Sequence, residues 1–579
     1  MYPTLGFTQI LQSVIHPRRF ISLAFIWLSF ALLQAQDLER YTPGKIRSQK
    51  PFEAGGGISL GAGFYRSSAN ISRMAPWNWF VSGSPWVRIY GFNIPFTFTY
   101  SETGRSLTHP FHYQFTGASP SYKWATAHLG YRSMSFSDYT VSGVVFNGAG
   151  VELRPGKLRL GAFYGIFNPA VAPDTNNAGF GVILPAYKRI GYGTRVGIGS
   201  ERNYFDLIFF HGKDDPASLE KLPENNKIRP ADNVTLSPRF RFTLFKRWFW
   251  EADVALSLFT RNVLNDTLPE TEILNKVYRL IRVNTTSYGA FAGHLGTGLN
   301  LKFGNLFLRA RQVSSDYQSM GINLLQDDIR EYTANPAFHL FKGRASFSGS
   351  YGFYTDNLSA KRANTTIRKI YNTNLNLQPF KRLNLNLGYN NFGTTRSNGL
   401  VQMNDSITFS IINESYSGNL NLSIGNMKRP LSLSLFAQQQ EASDRNIFTR
   451  LYNNNKVTNA GASLNYRFTK IQLQCNGGAS YASFFAGGRT IRTESLQAAL
   501  RKQMASGKLS LGTNLSYTRR YQEQLLQGYV LSVNMQLQCS FGKRHSIMMQ
   551  GRLMRNNTGI ISNNAFTEQR AAFQYAFRF

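Results

Sequence analysis

Charged side chains are the residues of this sequence that could do chemistry, and most of them are basic. Lys and Arg number 64 against 31 Asp and Glu, which gives a net charge of +33. The densest group of histidine and carboxylates is His211-Gly212-Lys213-Asp214-Asp215. Such a group can serve acid–base or nucleophilic catalysis, but the polar end of a strand explains it better. Zinc and calcium spacings are missing. We therefore expect no enzyme, no metal and no cofactor.

A second set of charged residues occupies alternate positions, which share one face of a β-strand. Assigning the apolar positions to lipid turns this set towards a lumen: Glu152, Arg159, Arg189, Arg195, Asp206, Arg239, Arg241, Glu251, Asp253, Arg309, Arg311, Arg368 and Arg552. Two interpretations are open. The set forms a basic-biased lumen that favours anions, or a solvated ladder that holds strand register.

Two turns allow the register of this charge ladder to be predicted. A two-residue turn at Pro155-Gly156 would place Glu152 opposite Arg159. A three-residue turn over residues 245–247 would place Arg241 opposite Glu251 and Arg239 opposite Asp253. Opposed charges of this kind can stabilise neighbouring strands.

Strands with an apolar and a polar face are the elements that would position these residues. The pattern is clearest from Ala571 to the end of the chain, where every second residue is apolar. A final strand that ends on Phe resembles the C-terminal assembly signal of bacterial outer-membrane barrels, with Phe573, Tyr575, Phe577 and Phe579 as the signal residues. The first regular strand is expected at 57–66, and residues 85–101 are expected to form one aromatic strand.

Short basic turns recur every few tens of residues, with longer connections between them. They supply a rim of basic side chains: Lys157, Lys246, Arg247, Lys381, Arg382, Lys428, Arg429, Lys470, Lys508, Lys543 and Arg544. Short periplasmic turns and long outer loops are typical of an outer-membrane barrel. Ten turns and one irregular connection at 102–118 predict an all-β, transmembrane, up-and-down antiparallel barrel of about 24 strands, with a range of about 20–26. Candidate outer loops are 67–84, 214–231, 262–283 and 319–330.

The basic rim also has two interpretations. Its side chains could reach the phosphates of outer-membrane lipid. Alternatively, they could form a docking ring for an acidic periplasmic protein. Nucleic acid is excluded as a partner because an exported protein does not meet it.

The N-terminus predicts export. Basic residues up to Arg19 precede an apolar run over 20–33, so residues 1–35 are expected to be a signal peptide. Residues 36–56 form a polar lead, which is too short for a TonB-type plug domain, and residues 57–579 form the barrel. Cys475 and Cys539 share parity with apolar neighbours, and we expect both to face lipid on separate strands.

Part of the sequence resembles a known group of proteins. The segments are Ile94–Ser101, Tyr122–Thr126, His128–Arg132 and Gly150–Lys157. They are similar to large, mostly uncharacterised outer-membrane β-barrel proteins of Bacteroidota-type bacteria. The resemblance implies a barrel in the cell outer membrane, inserted by the barrel-assembly machinery, and it implies no substrate.

A barrel of this width would leak small solutes unless something closed it. The sequence therefore predicts a gated or partner-plugged channel or transport protein. The alternative is a barrel subunit of an outer-membrane secretion or assembly complex.

Overall fold

The computed structural model describes residues 51–69, 74–90, 92–101, 117–172, 185–219, 228–267, 280–398, 410–426, 429–446, 450–558 and 565–579. The predicted signal peptide and most of the predicted lead lie outside these residues. So do the rim residue Lys428 and parts of the long connections.

Alternating sequence produces strands almost throughout. In chain order the strands are β1 Phe52–Gly55, β2 Gly57–Ser67, β3 Trp77–Gly83, β4 Trp86–Ile89, β5 Phe92–Ser101, β6 Gly117–Ala118, β7 Ser121–Tyr122, β8 Ala125–Ser133, β9 Val141–Ser142, β10 Val145–Leu153, β11 Leu158–Asn168, β12 Arg189–Gly199, β13 Tyr204–Asp214, β14 Asp232–Leu244, β15 Trp248–Thr260, β16 Ser287–Leu301, β17 Gly304–Val313, β18 Gly321–Ile322, β19 Ile329–Leu340, β20 Ala345–Asp356, β21 Asn364–Phe380, β22 Leu383–Asn398, β23 Ser410–Asn426, β24 Arg429–Asp444, β25 Asn455–Phe468, β26 Leu473–Ala486, β27 Arg489–Met504, β28 Leu509–Gln522, β29 Leu525–Phe541, β30 His545–Thr558 and β31 Phe566–Arg578.

Helix is scarce among the described residues. One α-helical turn, α1, spans Arg450–Asn453, and 3-10 turns span Pro216–Ser218, Phe341–Gly343 and Ala505–Gly507. No helix in the described ranges is long and apolar enough to cross a membrane.

Strands that are adjacent in the wall pair antiparallel, and the ring closes where β31 pairs with β2. Gly57 lies opposite Arg578, and Ser67 lies opposite Glu568. The segments β1 and β2 occupy one wall position, as do β3 with β4 and β6 with β7. The closed barrel therefore has 26 strands, which is the upper limit of the predicted range.

The estimate of 24 strands was low because two short turns near the N-terminus are not basic-rich. One joins β4 to β5 between Ile89 and Phe92, and the other joins β7 to β8 at Lys123-Trp124. The single strand expected at 85–101 is thus two strands. The loop expected at 67–84 contains β3, and the irregular connection expected at 102–118 lies outside the described residues except for β6.

The outer face of the ring is apolar. Tyr164, Val196, Leu464, Leu496 and Met535 point outwards with 48–62% of their surface exposed. Cys475 and Cys539 are both free and share this face on β26 and β29, as expected. Such an exterior fits lipid, because a closed ring leaves no unpaired strand edge in the membrane.

Two connections fold inwards. Residues 134–144 join β8 to β10, and residues 314–328 join β17 to β19. Their short strands β9 and β18 pair in parallel, with Val141 opposite Gly321. We call these two segments the inward loops. The loop expected at 319–330 is therefore lumenal over most of its length.

Candidate functional site

The lumen is the candidate site, and its two sides differ. We call the wall from β8 to β20 the loop-filled half, because the inward loops lie against it. We call the wall from β21 to β31 the amide-lined half, for the side chains that it presents to the lumen.

In the loop-filled half, apolar side chains anchor the inward loops. Phe136 and Val141 are fully buried, and Phe136 lies 5.6 Å from the ring of Phe163 on β11. Met320 joins the same cluster from the second loop. All three clusters of buried apolar residues among the described residues lie between Met134 and Tyr354.

Asp253 on β15 is the polar anchor of the first loop. Its carboxylate is 1% exposed and accepts hydrogen bonds from Ser137 Oγ at 2.8 Å and Ser237 Oγ at 2.9 Å. The backbone N–H of Asp138 also donates to it, at 3.3 Å. Arg239 lies opposite Asp253 in register and donates to the carbonyl oxygen of Phe136 at 3.0 Å. The wall thus holds the loop by charge-assisted hydrogen bonds, which are the stronger kind.

Asn233 on β14 anchors the second loop. Its side chain is fully buried, donates to Ser257 Oγ at 2.8 Å, and accepts from the N–H of Met320 at 3.0 Å. The loops also bind each other, since Tyr317 donates its hydroxyl to the carbonyl oxygen of Tyr139 at 2.6 Å. Burial raises the pKa of Tyr317, so the hydroxyl keeps the proton that it donates.

The arginines of the predicted ladder between residues 159 and 311 all have carboxylate partners. Arg159 binds Asp206 through two nitrogens at 2.7 and 2.9 Å, and Asp206 is fully buried. The other pairs are Arg189–Asp214, Arg195–Glu152, Arg239–Asp253, Arg241–Glu251, Arg309–Asp138 and Arg311–Glu331. The structure thus places the predicted ladder residues between 152 and 311 on the lumen face, in pairs of arginine and carboxylate.

The register at one predicted turn was wrong. Glu152 lies opposite Gly161, and Leu153 lies opposite Leu160. Four residues, 154–157, separate β10 from β11, so the hairpin is longer than a two-residue turn allows. Arg159 consequently pairs with Asp206, and Glu152 pairs with Arg195. At the other turn, Arg239 faces Asp253 and Arg241 faces Glu251, as predicted.

The amide-lined half presents a different surface. The lumen positions of its strands hold many Asn and Gln residues, among them Asn374, Asn376, Asn386, Asn419, Asn465, Gln474, Asn476, Gln497, Asn514, Asn534, Gln536 and Gln550. Amides both donate and accept hydrogen bonds. Some bind each other across strands, as Asn386 does with Asn374 at 3.2 Å.

Arginines stand among these amides with few acids near them. Arg501, Arg552 and Arg570 line one hollow of the wall with Gln474, Asn534 and Gln550. Arg552 and Arg570 are directly opposed on β30 and β31. No carboxylate among the described residues lies within 4 Å of these three guanidinium groups. The predicted residue Arg552 thus lies on the lumen face but away from the paired ladder. Arg368, at the border, stacks on Tyr354 at 4.9 Å.

The basic rim lies at the short-turn end of the barrel. The turns between β10 and β11, β14 and β15, β21 and β22, β25 and β26, β27 and β28, and β29 and β30 hold the described rim residues, with Arg429 opening β24. Glu201 is an acidic residue in one of the described short turns, and its carboxylate lies 3.7 Å from the guanidinium group of Arg154.

The C-terminal residues lie on the outer face at the closing seam. Phe577 faces Ile58, Tyr575 faces Leu60 and Phe573 faces Ala62 on β2. Phe579 exchanges backbone hydrogen bonds with Gly56. The aromatic end of the chain therefore lies where the last strand meets the first.

The histidine group does not converge on one point. His211 lies between Tyr192 and Asp232, at 2.8 and 2.7 Å, whereas Asp214 binds Arg189 in the lumen. Among the described residues, no three His, Cys, Asp or Glu are placed to hold a metal ion.

Comparison with known proteins gives structural matches alone. No protein-family model and no curated protein matches the chain. The translocation pore of the P pilus usher PapC is 10% identical, with 90% of this chain and 99% of that chain covered and a TM-score of 0.39. OccAB2 of Acinetobacter baumannii is 12% identical, with 61% and 92% covered and a TM-score of 0.29. A chain of the FpvAI–pyocin S2 complex is 9% identical, with 92% and 74% covered and a TM-score of 0.35.

None of these matches supplies an activity for this chain. The closed ring of 26 antiparallel strands and its apolar exterior identify an outer-membrane β-barrel.

Proposed function

We propose that this protein is an outer-membrane channel whose conducting path follows the amide-lined half of the lumen, while its own inward loops narrow the other half. The observation that carries this proposal is the wall from β26 to β31. There Arg501, Arg552 and Arg570 stand among amides, without a described carboxylate within 4 Å.

This wall suits polar, negatively charged solutes or polymers. Guanidinium groups without a carboxylate partner raise the local concentration of anions, and a low-dielectric wall strengthens their field. The surrounding amides can replace water around a hydroxyl or carbonyl group, because each supplies both donors and an acceptor. The paired arginines of the loop-filled half contribute far less net charge.

Conductance of the purified barrel in planar bilayers tests the proposal. We expect steady ion flux with a reversal potential that shows anion preference. The triple variant Arg501→Gln, Arg552→Gln, Arg570→Gln should reduce that preference severalfold. The control is Arg311→Gln with Glu331→Gln, which removes an ion pair from the other half without changing net charge.

Two results would contradict the channel. The first is an inserted, heat-modifiable barrel that conducts no ions. The second is equal selectivity in the triple variant and the control, which would show that these three arginines do not face the conducting path.

A second candidate function is a barrel subunit of an outer-membrane secretion or assembly complex, and the basic rim favours it. A ring of Lys and Arg at the short-turn end suits an acidic periplasmic protein as well as it suits lipid phosphate. Reversing Lys381, Arg382, Lys543 and Arg544 to Glu should release a co-purifying protein while the barrel stays inserted. If insertion alone weakens, the rim is a lipid anchor.

A further inference from the structure

We infer that the outer surface of the barrel across β27–β31 and β2 binds the phosphate groups of an outer-leaflet glycolipid. The site consists of Arg492, Arg519, Arg555 and Arg66, which we call the arginine arc. It lies on the opposite face of the wall from the lumen, so it does not depend on the proposed channel.

The first observation is position along each strand. Arg66 follows the outward residue Phe64 by two positions, Arg555 follows Leu553, and Arg519 follows Tyr517. Phe64 and Leu553 are 44% and 47% exposed on the apolar exterior. Each of the three arginines is therefore the first outward side chain beyond the apolar band of its strand, towards the long loops. The headgroups of the outer leaflet lie at that level, because long loops face the cell exterior.

The second observation is that these arginines share one depth. Arg66 and Leu553 both lie opposite Gln569, so these two residues are in register across the strands. Arg555 follows Leu553 by two positions, so it lies two residues beyond the register position of Arg66, at a distance of two strands. Arg555 lies opposite Leu531, which lies opposite Tyr517. Arg519 follows Tyr517 by two positions, so it lies two residues beyond the register position of Arg555, again at a distance of two strands. Strands tilted by about 35–45° and spaced about 4.8 Å apart require a drift of about one residue per strand at constant depth.

The third observation is the chemistry around the arc. Arg519 stacks on Tyr517 at 5.6 Å, and Arg492 stacks on Tyr521 at 5.9 Å. Arg492 also donates to the carbonyl oxygen of Glu523 at 2.9 Å. Tyrosine belongs at the membrane interface, and guanidinium binds phosphate with two parallel hydrogen bonds.

Carboxylates do not neutralise the arc within the described residues. Glu494 lies opposite Arg519 in register, but it accepts from the Tyr521 hydroxyl at 3.5 Å and forms no ion pair with Arg519. No described carboxylate lies within 4 Å of any of the four guanidinium groups. The guanidinium groups of the arginine arc can therefore bind an anion at the lipid interface.

At the same level on other strands, basic outward residues lie among neutral or acidic side chains, as Arg330 does beside Gln312. On β22 and β23 the outward residues beyond the apolar band are Asn391 and Glu414, which bind each other at 2.9 Å. On β24 and β25, Glu441 lies 3.8 Å from Lys456. The described residues of β22–β25 therefore show no group of outward arginines comparable to the arc. Because apolar side chains adjoin it on the membrane side, the expected ligand is a lipid phosphate with acyl chains.

The test measures lipid binding to the full-length barrel by native mass spectrometry. The probes are bisphosphorylated lipid A and the same lipid after removal of both phosphates. The variant is Arg66→Gln, Arg519→Gln, Arg555→Gln. The control is Arg330→Gln, Lys369→Gln, Lys456→Gln, which removes the same charge from outward positions at the same end of other strands.

The wild-type barrel should bind bisphosphorylated lipid A at least tenfold more tightly than the dephosphorylated lipid. The arc variant should lose that difference, and the control should keep it within about twofold. Millimolar inorganic phosphate should not displace the lipid; displacement would point to a free-phosphate site. Equal wild-type affinity for the two lipids would overturn the proposal without relying on any variant, and so would equal losses in variant and control.

Discussion

The two halves of the lumen wall differ in what lies against their lumen face. Against β8–β20, the wall meets the inward loops and buries Phe136, Tyr139 and Tyr317 almost completely. The wall β21–β31 presents amides, hydroxyls and arginines to the lumen. The outer face of both halves is apolar over the membrane band.

Strand length differs along with the lining. The strands β10–β13 have 9–11 residues, close to the length that spans a membrane, whereas β21–β24 have 16–17. The longer strands carry polar residues on their outer face at the long-loop end, such as Glu414 and Glu441. One half therefore uses its connections to fill the lumen, and the other uses strand length to extend the wall.

Removing the inward loops should give the largest effect. Replacing residues 135–143 and 315–327 with short Gly-Ser linkers should raise single-channel conductance severalfold, because these loops occupy the lumen beside β8–β20. The measurement is conductance in planar bilayers. Lengthening the hairpin at Gly487-Gly488 by the same linkers serves as the control and should leave conductance unchanged.

An unchanged conductance after this replacement would contradict the inference that the inward loops narrow the conducting lumen in one half of the barrel. It would mean that the loop-filled half lies outside the conducting path, or that another segment of the chain closes the lumen.

The next effect concerns stability. Asp253→Ala removes a buried carboxylate that accepts from Ser137, Ser237 and the N–H of Asp138. Because these donors and Arg239 lose their buried partner, the free energy of unfolding should fall by about 3 kcal/mol. Asn534→Ala in the other wall should lower it by at most about 1 kcal/mol. Urea unfolding in detergent micelles measures both, and a larger loss for Asn534→Ala would reverse the expected order.

The ladder shows how much of this architecture local sequence could predict. Parity alone placed Arg239 and Asp253 on one face, and the three-residue turn gave their register correctly. At 154–157 the same reasoning failed, since Pro and Gly mark a turn but do not fix its length. The strand estimate fell short at the turns where Tyr90 and Lys123 have φ values of 46° and 50°, because neither turn carries the cluster of basic residues that marks most of the others.

The inward loops were beyond local patterns. Residues 134–144 and 314–328 do not alternate, so they looked like ordinary connections. Their partners are remote in sequence, as for Tyr317 and Tyr139, which are 178 residues apart. The burial of Asn233 and Asp253 depends on those remote loops, which supply Met320 and Ser137 as their partners. Pattern therefore predicts the wall, while contact between distant segments decides what fills it.

The smallest effect should distinguish two hydrogen bonds of similar chemistry. Asn233 donates its amide to Ser257 Oγ at 2.8 Å in the loop-filled half, where both residues are at most 2% exposed. Asn386 donates its amide to Asn374 Oδ1 at 3.2 Å in the amide-lined half, where the bond is exposed. Double-mutant cycles to Ala should give a coupling of about 1 kcal/mol or more for the buried pair and at most about 0.5 kcal/mol for the exposed pair. The reason is that water replaces the lost partner at Asn374, whereas a buried donor stays unsatisfied after Ser257→Ala. Equal couplings would show that the amide wall is as dry as the contact between the inward loops and β14, and a dry amide wall would remove the basis for a conducting path along β21–β31.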